Sequence, residues 1–599
     1  MIGAASMSHP NGAPKTADAT ERTPLIVPPP TTADASPEAA LDGHADGNTD
    51  HEHDQKDNVH TGANQSLTRV RGTFAVLALG GLILLQSTNI SILTTTQSAI
   101  AADLDAFEQT SWFTSAYLIA MSALGPLNGK LAAVFTPRIT IFVSSILLAI
   151  GTVTSGLTAG FEGFIFGRVL TGIGAAGIFT VSIIIVLELS SSKQRGLAIG
   201  LLNTGFTIGV AAGATAAGAL LPKTGWRWLF IAQAPVAVLG GTALLISIPS
   251  TFHTGGKHDA TKSSSTLAQL RRLDYFGAVA LTTSIVLLLY SLGSPRHVPL
   301  LPLFLSPVVL AVFILNEVYI ASDPIIPIAL LKSRGLLLTC FATVGYMMAR
   351  WSVLFYTPTY AIAIRAWSPG TAGSILVPTN AGFAAGGLLV GALHIKRQGS
   401  FYLPTLVVYA IFPVTLVLLA ALTKHTSSMA LFILDVTVCG AATGAALNYN
   451  LAHVLHLTPK STHYIATSLL ATFRGFSGSF GSAIGGGIFS RTLYQSLTNR
   501  FAERGMHNED NLVRRLLGSP ALVGRLQGAQ REVAIQGYEE ALRKLFLYGA
   551  GLAALMVFVQ AGTGWSTPEV VKEEARRDEA EERQRLVAQE EAAEGRAEA

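Results

Sequence analysis

Four ionisable side chains stand inside long apolar runs: Arg168, Arg350, Asp435 and Arg474. At the centre of a membrane such a group costs about 3 kcal/mol on insertion scales, so it faces a cavity or a partner. A carboxyl such as Asp435 can take up and release a proton or hold a cation. Arg350 can then serve as its charge partner or as a substrate contact. The competing readings are a fixed ion pair that only positions helices, or a side chain that snorkels to an interface. For Arg474 a structural role is the leading expectation. Amides form a second group: Asn89 with Gln86 and Thr88, Asn380, and Asn448 with Asn450. An amide donates and accepts, which suits a polar, zwitterionic or oxygenated ligand. Hydrogen bonding between helices, at about 1 kcal/mol or less each, is the plainer role.

The other reactive residue types point to no chemistry. Cys340 and Cys439 sit in apolar runs without metal-site spacing and read as small buried hydrophobes. The tract His51-Glu52-His53-Asp54 reads as a solvated polar stretch. The glycine runs (Gly172, Gly174 and Gly177; Gly205, Gly209 and Gly213; Gly481 and Gly485 to Gly487) lack the Lys-Ser/Thr of a phosphate loop. They suit close helix packing. No zincin pair or nucleophile motif appears, so no catalytic residue, metal or cofactor is expected.

These groups need elements to hold them. The chain has 599 residues, 50% hydrophobic and 13% charged. Soluble chains carry about a quarter charged residues, so most of this chain lies in an apolar solvent. A net charge of +4 gives no reason to expect nucleic acid. About 20 apolar residues cross the hydrocarbon core. Fourteen runs qualify, near 71–95, 111–131, 139–158, 164–187, 196–220, 227–248, 274–292, 299–320, 336–357, 371–394, 402–422, 428–453, 465–488 and 543–563. Residues 1–68 read as a disordered tail and 564–599 as a charged, solvated helical tail. The loop at 490–541 mixes charge with Leu and Val, which suits amphipathic helices at the non-cytosolic face. Thirteen Lys and Arg fall in the short loops on one side against five on the other. Both termini are therefore expected in the cytosol.

The ordered motifs now resemble a known family. Arg168-Val-Leu-Thr-Gly172-Ile-Gly174 is similar to the fourth-helix motif of major facilitator transporters, and Gly129-Lys130-Leu131 to the start of their loop signature. Ser111-Trp112, Gly225-Trp226-Arg227-Trp228, Leu273-Asp274-Tyr275-Phe276-Gly277, Asp323-Pro324, Tyr356-Thr-Pro358 and Phe473-Arg474-Gly475 resemble the fourteen-span drug:proton antiporter branch. The match covers about 70–563. The resemblance implies an all-α polytopic fold of two six-helix bundles, 69–250 and 321–563, joined through a cytosolic loop at 251–273 and an extra pair at 274–320. It implies alternating access around a midplane site lined by the first, fourth, ninth and twelfth spans. It ties Arg168 to proton transfer or gating, against a purely structural role. Gly172, Gly174 and Gly209 become structural or gating positions. Three departures stand out. Asn89 replaces an Asp of many relatives, Ala133 replaces the loop Asp, and Val210 follows Gly209 where Pro is usual. An amide carries no proton, so coupling through the first span is in question.

Glu21-Arg22-Thr23-Pro24-Leu25-Ile26 fits an acidic dileucine sorting signal, within reach of a cytosolic adaptor. Such a signal directs cargo to vacuoles, and vacuolar basic amino-acid permeases of this branch often carry one. The leading expectation is a gradient-driven vacuolar permease for small cationic or zwitterionic metabolites, embedded in the lipid bilayer as a monomer, with protons as the coupling ion. A plasma-membrane efflux pump for drugs, toxins or a secondary metabolite is the first alternative. A non-transporting nutrient receptor of the same fold is the second.

Overall fold

A computed structural model describes residues 69–189, 195–249, 273–321, 333–394, 401–458, 463–506 and 509–564, with a few positions of the C-terminal tail. The sorting tract Glu21, Leu25 and Ile26, the loop at 251–272 and the motif at Asp323 lie outside the described residues.

The described elements are helices. They are α1 Arg69–Asp103, α2 Thr110–Phe135, α3 Pro137–Leu157, α4 Phe161–Leu189, α5 Arg195–Ile231, α6 Gln233–Ser247, α7 Tyr275–Leu292 and α8 Leu300–Tyr319. Then come α9 Arg334–Ala363, α10 Leu376–Leu389, α11 Tyr402–Leu422, α12 Met429–Leu457, α13 His463–Glu503, α14 Asp510–Gly518 and α15 Gly528–Ala561. Each expected span coincides with a helix of this series. Among the described residues, eleven helices are long and apolar enough to cross a membrane. α6 is only 15 residues long. α2 and α13 carry hydroxyls that meet across the molecule: Ser115 lies 3.0 Å from Ser482, and Ser122 donates to the Gly475 carbonyl at 2.8 Å.

The helices pack in two groups. In the first, α1 lies on α5 and α6, and α3 and α4 cross closely with α2 beside α4. In the second, α9 packs on α13 and α15, α10 on α12, and α11 on α12 and α15. The groups meet through α2 with α13 and through α5 with α10. α7 pairs with α8 and touches α2 and α13, while α8 leaves Leu301, Phe304 and Tyr319 exposed. An apolar belt of this kind is stable only against lipid.

Glycines set the closest crossings. A Cβ at Gly172 would strike the Tyr117 carbonyl of α2, and one at Gly174 the backbone of Ser144 and Leu148 in α3. At Gly209 it would meet Leu84 and Ser87 of α1. Gly205, expected in the same stripe, faces open space. The tightest crossing lies elsewhere, between Gly382 and Gly386 of α10 and Gly440 and Gly444 of α12.

The region expected as a long loop at 490–541 is mostly helix. α13 runs on to Glu503 and α15 begins at Gly528. Leu493, Leu497 and Phe501 share one buried cluster with Val533, Ala534 and Tyr538. Arg500 pairs with Glu540 at 3.1 Å and Arg504 with Glu532 at 2.9 Å. The short connection carries the amphipathic helix α14, which buries Val513, Leu516 and Leu517.

Candidate functional site

The two groups of helices enclose a cavity of about 80 Å³ near the middle of the long helices. Arg350 from α9, Asn380 from α10 and Arg474 from α13 supply its polar side. Phe179 of α4, Phe206 of α5, Trp351 of α9 and Phe383 of α10 supply aromatic walls. Among the described residues no Asp or Glu lines it. Sites for drug-sized ligands run to about 300–1,000 Å³. This cavity is smaller than that.

The helix pattern explains how these residues converge. Met347, Arg350, Trp351 and Leu354 recur at three- and four-residue spacing, so one stripe of α9 faces the cavity. Arg474, Gly475 and Gly478 do the same on α13. The Arg350 guanidinium is 3% exposed. It donates to the Thr379 hydroxyl, to the Thr379 carbonyl at 3.3 Å and to Asn380 Oδ1 at 3.4 Å. Its carbon lies 5.5 Å from the Phe383 ring centre, within cation–π range. Asn380 Nδ2 is buried without a hydrogen-bond partner, a donor left for a ligand.

Asp435 lies on α12 outside this lining. It is 4% exposed, and its Oδ2 has no hydrogen-bond partner. No described ion pair joins it to Arg350, whose hydrogen bonds run to α10 instead. Asn450 donates to Thr343 Oγ1 at 3.0 Å and to Tyr409 Oη at 2.6 Å, tying α12 to α9 and α11. Asn448 donates to the Gly444 carbonyl one turn back at 3.3 Å. Neither amide lines the cavity.

Arg168 and Asn89 meet in the first group, away from the cavity. Arg168 is wholly buried. Its Nη1 donates to Asn89 Oδ1 at 2.6 Å and its Nε to the Phe113 carbonyl at 2.9 Å. Asn89 Nδ2 in turn donates to Gln233 Oε1 at 2.8 Å. The Arg168 carbon lies 4.6 Å from the Tyr117 ring centre. One cation thus links α1, α2, α4 and, through Gln233, α6. Its Nη2 has no hydrogen-bond partner, and among the described residues no carboxylate pairs with it. Asn89→Asp supplies that carboxylate and is expected to raise the melting temperature. Asn89→Leu removes the acceptor and is expected to cost about 1–3 kcal/mol. Thermal melts of both variants read this directly, and an Asn89→Asp melt below wild type would refute it.

Sequence reasoning named Arg350, Arg474 and Asn380 but missed Trp351, Phe383 and Gln233. Gln233 was findable as a lone amide in an apolar run. The aromatic residues were not, because a ring on an apolar helix looks the same toward lipid and toward a cavity.

Residues 77–482 match the model of the Major Facilitator Superfamily, and the chain belongs to that family. It is a multi-pass membrane transporter of the secondary type. The multidrug resistance protein fnx1 of Schizosaccharomyces pombe is 25% identical over 79% of this chain and 88% of its own length. Vacuolar basic amino acid transporter 2 of Saccharomyces cerevisiae is 26% identical over 75% and 96%. Among solved structures, an inward-facing, occupied bacterial homolog of the human lysosomal transporter Spinster superposes with a TM-score of 0.55. It is 15% identical and covers 84% of this chain and all of that one.

Proposed function

We propose that this transporter moves a small organic solute bearing a carboxylate or a similar anionic group, together with a ring or other apolar body. The carrying observation is the central cavity: two arginines and an amide face aromatic walls, and no carboxylate lines the same space. Guanidinium pairs with carboxylate through short, charge-assisted hydrogen bonds. A solute that is only cationic would meet like charge there. Of the expected substrates, zwitterions therefore fit better than simple cations, since their carboxylate can meet Arg350 or Arg474. Asp435 is the proposed proton-carrying group, set one helix away from the substrate cavity. The vacuolar membrane remains the proposed location, supported by the sorting tract and by the vacuolar relative. The aromatic walls favour one second reading, efflux of an acidic aromatic metabolite across the plasma membrane.

Uptake into proteoliposomes tests the substrate class. Arg474→Gln is expected to raise KM for carboxylate-bearing solutes about tenfold or more while leaving neutral analogues within about twofold, the cost of one charge-assisted contact. An equal effect on both classes would sink the anionic reading. Saturable flux in the wild type also separates a transporter from a receptor. Imaging a tagged chain against vacuolar and plasma-membrane markers decides between the two membranes.

A further inference from the structure

A second, larger cavity opens at the end of the molecule where α1 finishes and α2 begins. Its volume is about 320 Å³, and both helix groups line it. α1 contributes Gln97 and Ser98, α2 Ser111 and Thr114, α9 Thr359 and α13 Ser490. The connection between α13 and α15 adds Arg515, at the end of α14, and Arg525. Among the described residues no Asp or Glu lines the cavity.

Many serines and threonines of the long helices spend their hydroxyl on the carbonyl one turn back, Thr94, Thr95 and Thr110 of this lining among them. Ser122 bonds Leu118, Ser182 bonds Ile178 and Thr437 bonds Ile433. That habit satisfies a hydroxyl in an apolar setting. The six polar side chains named at this cavity do otherwise: none makes a hydrogen bond within the described protein. They line the open volume with their hydrogen-bonding capacity unspent.

The arginines divide in the same way. Arg514, one residue before Arg515, is neutralised by Asp105 and Glu108, each at 3.4 Å. Arg296 also meets Glu108, at 2.8 Å. Arg515 and Arg525 make no ion pair among the described residues. Their place is fixed all the same. A Cβ at Gly518 would strike the Phe107 backbone, so the end of α14 is seated directly on the turn Phe107–Gln109. Tyr538 donates to the Leu516 carbonyl and holds the helix from the other side. Two unneutralised cations over a bed of uncommitted donors form a basin of positive potential.

We infer that this outer cavity is a second binding site, distinct from the central one, for an organic anion that accepts several hydrogen bonds. Arg515 and Arg525 supply the charge, and the hydroxyls and the Gln97 amide supply the donors. Its size suits a ring-bearing mono- or dianion. The site stands on its own lining and does not depend on what the central cavity takes.

Fluorescein, a ring-bearing dianion, serves as the probe. Its anisotropy is followed with the purified full-length protein in nanodiscs, where both faces are open. The double variant Arg515→Gln, Arg525→Gln changes two exposed positions and leaves the buried face of α14 intact. It is expected to weaken binding tenfold or more and to flatten its dependence on salt, since the lost contacts are screened charges. Ser98→Ala with Thr359→Val is expected to weaken binding severalfold with the salt dependence kept. Binding in the double variant within twofold of wild type would overturn the outer site. Arg474→Gln separates the two cavities. Loss there, without loss in the outer double variant, would place the dye in the central cavity and overturn this inference while supporting the central one. Loss only in the outer double variant supports the outer site whatever the central cavity takes.

Discussion

Asp435→Asn is expected to abolish gradient-driven accumulation while leaving solute exchange intact. Asp435 is buried on α12, and one carboxyl oxygen has no hydrogen-bond partner. Asparagine keeps the size and shape of the side chain, so helix packing is unchanged. What it removes is the ability to take up and release a proton. A coupled carrier that loses its proton-carrying group still shuttles between its two facing states with solute bound. It no longer does so in step with protons. The central cavity proposed to take the solute is lined by Arg350, Asn380 and Arg474 and not by Asp435, so binding is expected to survive. Proteoliposomes with an imposed pH gradient should show the variant's accumulation at least tenfold below wild type. Counterflow of labelled solute, with no gradient, should stay within about twofold. Accumulation equal to wild type would end the coupling role. Loss of both activities would assign Asp435 to binding or folding instead.

How much of this was legible in the sequence depends on whether a feature is local. The long helices were legible because each apolar run answers to bilayer thickness alone. The buried ionisable groups were legible because charge in an apolar run is rare. Their grouping was not. Arg350 and Arg474 share a cavity only because two helices far apart in the chain turn the right stripes inward. Asn89 and Arg168 were expected at a central site, yet they form their own buried cluster with Gln233, and α1 and α4 reach the cavity through Ile90 and Phe179 instead. The continuation of α13 and α15 was hidden because charged and apolar residues alternate there on two faces that serve each other. The vestibular arginines could not be told from ordinary surface charge until α14 was seen seated on Phe107.

Gly440→Val is expected to prevent the second helix group from assembling, and the reason lies in how α10 meets α12. Gly382 and Gly386 on α10 and Gly440 and Gly444 on α12 follow four-residue spacing, so each pair stands on one face of its helix. The two faces interlock. A Cβ at Gly440 would fall on the Thr379 carbonyl, and one at Gly444 on the Phe383 carbonyl. In return, Gly382 faces the Thr437 carbonyl and Gly386 the Ala441 carbonyl. Between helices in lipid there is no hydrophobic drive, so packing of this closeness carries the association. The obstacles are backbone atoms, which cannot rotate aside. Gly440→Ala must therefore move a whole helix, at a cost of about 3 kcal/mol, the upper end of the usual range for overpacking. Valine adds two further carbons and should leave no monodisperse protein on size exclusion. The displacement also reaches the central cavity, because Thr379, Asn380 and Phe383, which surround Arg350, stand on the same helix as the zipper. Gly440→Ala should thus lose transport in step with its melting temperature. Gly205→Ala is the control, since nothing lies within 4 Å of the added carbon and its melt should match wild type. A Gly440→Ala melt equal to that of Gly205→Ala would mean that α10 and α12 stand further apart in the membrane than this packing requires.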